Sequence, residues 1–131
     1  MMKGPKMAVQ RGEIYWVEFG PVKGSEQGGL RPALVVQNDI GNRYSPTTVV
    51  VAITRTIPPQ PYPFVVVIEP AESGLPGRSA VNCTQMATIQ QSGPESRFRP
   101  AKGEPVVRPI GQLSMEKMRE ISTALAYNLA I

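Results

Sequence analysis

Thr47-Thr48-Val49-Val50-Val51-Ala52-Ile53-Thr54 is the stretch on which the fold turns. It is strongly apolar and rich in β-branched residues, which predicts a central, buried strand. The segments around it read as shorter strands. Ile14-Tyr15-Trp16-Val17-Glu18-Phe19 is aromatic and β-branched, and Pro32 opens a second strand over Ala33 to Gln37. A proline at a strand start removes no hydrogen bond from the middle of a ladder. Phe64 to Ile68 is another strand, and Ser79 to Ile89 contains one more, with Val81 and Cys83. Between them lie turn formers: Asn38-Asp39-Ile40-Gly41-Asn42, the prolines at 58, 59, 61 and 63, and Gly74-Leu75-Pro76-Gly77. One helix closes the chain. Ser114 is its N-cap, Leu113 and Met118 are placed to form a hydrophobic staple, and Met115, Met118, Ile121, Leu125 and Leu129 recur at helical spacing as a core-facing stripe. The expected fold class is therefore mainly β with a C-terminal α-helix. Short strands with long loops favour a small, curled, partly open barrel.

The remaining composition agrees. The chain has 131 residues, enough for one domain with a single core. It holds 14 prolines and 12 glycines, a frequency that suits short strands and turns. Residues 1–10 read as a loose leader and 11–131 as one domain, with a basic, proline-rich surface excursion over 91–109. Cys83 is the single cysteine and histidine is absent, so neither an intrachain disulfide nor a zinc site is expected, and no chemistry that needs an imidazole. The expected metal and cofactor content is none. The N-terminus has no apolar run and no stretch is long enough to span a membrane, so the expected location is a reducing cytoplasm. The net charge of +4 attracts polyanions without naming one.

Three segments carry a resemblance. Arg11-Gly12-Glu13-Ile14-Tyr15-Trp16-Val17 runs into Gly24-Ser25-Glu26-Gln27-Gly28-Gly29-Leu30-Arg31-Pro32. Gln37-Asn38-Asp39-Ile40-Gly41-Asn42-Arg43-Tyr44-Ser45-Pro46-Thr47 leads into the strand ending Ala52-Ile53-Thr54, and Gln85 with Thr88-Ile89 precedes Leu113-Ser114-Met115. Over roughly residues 10–131 the chain resembles the MazF/PemK/Kid family of bacterial toxins from type II toxin–antitoxin pairs. The resemblance implies a small SH3-like β-barrel of the MazF/PemK/CcdB type, paired as a homodimer. It implies an endoribonuclease, an mRNA interferase that cuts single-stranded RNA at chosen sequences without a metal and so stops translation. It also implies a MazE-like antitoxin whose acidic and apolar tail covers the RNA groove.

RNA can be cut without a metal because its 2′-hydroxyl stands beside the phosphate. The enzyme must align the attack, neutralise charge on the phosphoryl oxygens and move protons. Arg31, which the resemblance assigns to catalysis, offers a planar fork of donors suited to phosphate. By position alone it would equally be a surface arginine paired with Glu26 or Glu13. Thr54 can donate a hydroxyl to a phosphoryl oxygen, or simply fill a strand. Glu26 is the one carboxylate of the signature loop and can orient Arg31 or accept the 2′-hydroxyl proton. Ser25, Gln27, Gly28 and Gly29 share that loop, where glycines let backbone N–H groups approach an anion. Asn42 and Ser45 are candidate base-edge contacts, with turn chemistry as their alternative, and Gln85 matches a family position near the groove.

Two departures from the family pattern stand out. Thr84-Gln85-Met86-Ala87 lacks the usual acidic and basic residues, so the recognised RNA word is expected to differ. The excursion over 91–109 is long; Arg97, Arg99, Lys102 and Arg108 either extend an RNA track or form a solvated basic loop, the reading favoured here. Trp16 and Cys83 read as core. Two other functions compete with cleavage: a non-catalytic toxin of the same fold that poisons DNA gyrase, and a single-strand RNA-binding module that does not cut. Arg31 and Thr54, in their motif, favour cleavage.

Overall fold

The computed structural model of the chain describes residues 8–20, 29–60 and 62–131. Its elements are β1 (Glu13–Glu18), β2 (Leu30–Val35), α1 (Asp39–Tyr44), β3 (Thr47–Thr54), β4 (Val65–Ile68), α2 (Pro70–Ser73), β5 (Ser79–Gln90), β6 (Phe98–Arg99), β7 (Gly111–Gln112) and α3 (Met115–Leu129). The strands form one antiparallel sheet in the order β4-β5-β3-β2-β1-β6, with β7 also on β1. The expected mainly β architecture with a C-terminal helix is the observed one: a curled half-barrel that leaves β4 and β6 as edges.

Strand β3 lies at the centre because both of its faces are apolar. Val51 and Ile53 join Ile14, Leu34, Ile68 and Val81 in one cluster, closed by Met118, Ile121 and Ala124 of α3. Val50 faces the other way, with Tyr15, Val17, Ala33, Val35 and Ile89, under Val9 and Phe98. A strand covered on both faces reads as a continuous apolar run rather than an alternating one. Strand β5 bends where its pairing with β3 shifts, between Val51↔Met86 and Ile53↔Val81. The Asn82 carboxamide oxygen accepts from the Thr84 N–H at 3.1 Å and hydroxyl at 2.7 Å inside that bend. The bend lets one long strand serve both β3 and β4.

Several expectations are corrected. The stretch from Asn38 to Asn42, read as a turn, instead starts a short helix: the Asn38 side chain accepts from the Gly41 N–H as N-cap. Ser114 caps α3 as expected, by accepting from the Lys117 N–H at 3.1 Å. The stripe on α3 is narrower than its spacing suggested. Met118 and Ile121 are buried, but Met115 and Leu129 stand exposed and Ala124 takes a core place. Toward the end of the helix the contact with the sheet is polar: Asn128 Nδ2 donates to the Cys83 carbonyl at 3.1 Å. The 91–109 excursion is not wholly a surface loop. It contributes β6, and Phe98 packs edge-on to Tyr15 with ring centroids 4.9 Å apart.

Cys83 is fully buried, as its reading as core required. Burial pushes its thiol up to about 11 from an ordinary 9.0. Burial first, and the Glu13 carboxylate second, push the Tyr15 phenol up as well; its hydroxyl donates to Glu13 Oε1 at 2.7 Å. Both groups keep their protons in the folded state at pH values where the unfolded chain gives them up. Stability is therefore fully present below pH 9 and declines as pH rises toward 11. For Cys83 alone the effect corresponds to about 2–3 kcal/mol. Urea denaturation at stepped pH should show that decline, and Cys83→Ala should flatten part of it; a pH-independent midpoint from 8 to 11 would contradict the assignment.

Candidate functional site

The register of β2 on β3 decides where the first two candidates meet. Ala33 pairs with Ala52, Leu34 with Val51 and Val35 with Val50. Carried two residues further, that register sets Arg31 opposite Thr54. Both line a pocket of about 380 Å³ at the strand ends, together with Trp16, Leu30, Pro32, Ile53, Arg55, Thr56 and the Leu75–Gly77 turn. No carboxylate lines it among the described residues, while two arginines do.

Arg31 is half-buried, and its Nε is enclosed with no hydrogen-bond partner among the described residues. A buried, unpaired guanidinium donor is costly to leave without an acceptor, and an anion in the pocket is the partner its chemistry calls for. Thr54 is prepared in a complementary way. Its hydroxyl oxygen accepts the Thr56 N–H at 3.1 Å, which leaves the O–H free to donate. Trp16, expected in the core, does two things: it packs against the α3-side cluster and also forms a wall of the pocket.

The base of the signature loop is described although most of the loop is not. The Gly29 N–H donates to the Gly20 carbonyl, and the Phe19 N–H donates back to Gly29 at 2.9 Å. Both glycines have positive φ, 93° at Gly20 and 75° at Gly29, which L side chains seldom adopt. Ser25, Glu26, Gln27 and Gly28 lie outside the described residues.

The remaining candidates stand elsewhere. Asn42 and Ser45 adjoin the opposite end of β3, seven residues from Thr54, roughly 23 Å at roughly 3.3 Å per residue. Asn42 is 1% exposed and its carboxamide is fully engaged inside the fold. Its oxygen accepts from Gln37 Nε2 at 3.0 Å and the Thr48 hydroxyl at 2.6 Å; its nitrogen donates to the Gln37 carbonyl and Asp39 Oδ1. Two lone pairs and two N–H groups are all the amide has, so nothing remains for a base edge. Asn42 is a residue of the fold, which corrects its reading as an RNA contact. Ser45 closes α1 and accepts from the Thr47 N–H. Gln85 lies half-buried at the β5 bend and does not line the pocket. In the excursion, Arg99 donates to the Ser96 and Phe98 carbonyls, while Lys102 and Arg108 are exposed.

A second recess, of about 580 Å³, opens on the far face between Tyr15, Phe98, Arg99 and Val107. It is larger, but its one cation is already bonded to its own loop. The smaller pocket carries the unsatisfied donor and is the candidate site. Sequence reasoning overlooked Arg55 and the Leu75–Gly77 turn there. The only signal was adjacency, since Arg55 follows Thr54.

Residues 10–129 match the family model of PemK-like, MazF-like toxins of type II toxin–antitoxin systems. The chain belongs to this family. Endoribonuclease EndoA of Bacillus subtilis is 38% identical over 125 residues, covering 95% of this chain and 97% of that one. A solved mycobacterial endoribonuclease in complex with its cognate antitoxin superposes with a TM-score of 0.70 at 27% identity, covering 95% and 97% of the two chains. Deinococcus radiodurans MazF (Form-I) aligns at TM-score 0.68 and 22% identity, with 95% and 98% covered, a likeness of fold.

Asn42→Ala should destabilise the toxin by about 2–4 kcal/mol, because it orphans a buried hydroxyl, an amide and a carbonyl. Thermal denaturation checks this. A variant as stable as the parent would return Asn42 to the list of surface residues free to meet a ligand.

Proposed function

We propose that this endoribonuclease toxin cuts single-stranded RNA without a metal, by attack of the 2′-hydroxyl on the adjacent phosphate at the Arg31–Thr54 pocket. The observation that carries the reading is the enclosed Nε of Arg31, which has no partner among the described residues, in one pocket with a threonine hydroxyl that donates to none of them. A phosphate seated there accepts from both. In the reaction, the 2′-oxygen forms a bond to phosphorus and the bond to the 5′-oxygen breaks. The products are a 2′,3′-cyclic phosphate and a 5′-hydroxyl. One proton leaves the 2′-hydroxyl and one reaches the departing 5′-oxygen.

Arg31 stabilises charge as it builds on the phosphoryl oxygens, where a fixed donor outside bulk water has its greatest effect. Arg31 is proposed to act through its charge and its fixed donors, not as the base. Glu26 is proposed as the carboxylate that orients Arg31 or accepts the 2′-hydroxyl proton. Ser25, Gln27, Gly28 and Gly29 are proposed to meet the RNA backbone, and Gln85 and Ser45 to lie along its path beyond the pocket. A cytoplasmic toxin of this kind inhibits translation by destroying message.

Two partners accompany the reading. The antitoxin complex of the mycobacterial relative supports an antitoxin for this chain. A tail both acidic and apolar suits the two arginines and the apolar walls of the pocket. A second copy of the chain is the other. Tyr127, Leu129 and Ile131 leave apolar surface exposed at the end of α3, which a dimer would cover.

The test is cleavage of mixed-sequence RNA in chelator, beside DNA of the same sequence, with the ends mapped. The wild type should cut RNA alone at discrete words. Arg31→Ala should slow cleavage by about 100-fold or more, and Thr54→Val by about tenfold, with RNA binding largely kept. Arg31→Ala cutting at the parent rate would sink the mechanism. Sedimentation at micromolar concentration should show a dimer; an active monomer would refute the paired assembly.

A further inference from the structure

Arg55 is the cation in the pocket that the cleavage mechanism does not use. It sits one residue past β3, exposed at the rim, with neither an ion pair nor a side-chain hydrogen bond among the described residues. Other cations nearby are engaged: Arg78 pairs with Glu69 at 2.9 Å and Lys117 reaches Glu72 at 3.9 Å. Its guanidinium nevertheless lies close to one wall of the pocket. A Cβ built on Gly77 would stand 3.2 Å from its Nη2 and 3.9 Å from both Cζ and Nε, so the guanidinium lies against the bare backbone of the Leu75–Gly77 turn. Glycine permits that approach, and any side chain there would push the guanidinium away.

No carboxylate of the pocket compensates Arg55 among the described residues. An RNA strand that presents one phosphate to Arg31 carries another one nucleotide away. We infer that Arg55, lying against Gly77, binds the non-bridging oxygens of a phosphate next to the scissile one and so sets where the RNA strand sits. This rests on the nuclease reading of the pocket. It makes Arg55 a substrate-binding residue whose contact is equal in ground and transition states, so its loss appears in KM and not in kcat.

The experiment uses the full-length toxin and a short RNA spanning a mapped cut. For binding, that RNA carries a 2′-deoxy residue at the cleavage point so that it stays intact. Arg55→Ala should raise Kd and KM about tenfold, keep kcat within about twofold, and reduce the log–log salt slope of binding by about 0.7, the value of one phosphate contact on a single strand. Arg55→Lys should recover the salt slope. A methylphosphonate replacing the neighbouring phosphate should weaken wild-type binding and leave Arg55→Ala unchanged. Unchanged KM and salt slope in Arg55→Ala would overturn the assignment, as would a fall in kcat at constant KM, which would put Arg55 on the reacting phosphate. Wild-type protein that does not cut RNA would instead overturn the nuclease reading itself.

Discussion

Burial of β3 on both faces is the constraint from which the rest of the structure follows. A strand with Val50 on one side and Val51 and Ile53 on the other cannot sit at an edge or face water. It must pair along both sides and be covered above and below. Strands β2 and β5 supply the pairing, α3 covers one face, and Val9, Phe98 and the 91–109 segment cover the other. That double coverage makes the β2–β3 register expensive to slip, because a one-residue shift would exchange the faces of every side chain.

The same register assembles the proposed site. Arg31 and Thr54 are 23 positions apart in the chain and come together because their strands are paired two residues away, at Ala33 and Ala52. Strand ends are where a sheet offers backbone and side-chain groups beyond its own ladder. Here they present a guanidinium whose Nε has no partner among the described residues and a hydroxyl whose oxygen is already occupied. Rigid strands hold both, so a phosphate arriving there meets donors that need little reorganisation. The Leu75–Gly77 turn, brought in by β5, completes the pocket and adds Arg55 to its charge.

Much of this was legible in the chain. The β-branched run over Thr47–Thr54 and the cap at Ser114 each encode a local preference strong enough to survive folding, whereas β2 begins at Leu30 and takes Pro32, read as its opening residue, into its interior. Asn42 was misread for an equally physical reason. Its type and neighbours are those of an exposed turn, and only the approach of Thr48 and Gln37 turns its amide inward. Trp16 shows the limit of reading residues as core or surface, since one ring faces the core and the pocket at once.

The amino-acid sequence by itself determined the succession of β1 to β5, the central place of β3 and the closing helix. These depend on periodicity, β-branching and capping, which act between near neighbours in the chain. Only the tertiary structure decided which residues share the pocket, that Ala124 and not Met115 or Leu129 meets the sheet, and that Arg55 lies on Gly77. Each of those outcomes depends on where distant segments stop against one another, and that is set by cross-strand register and packing, which no local pattern contains.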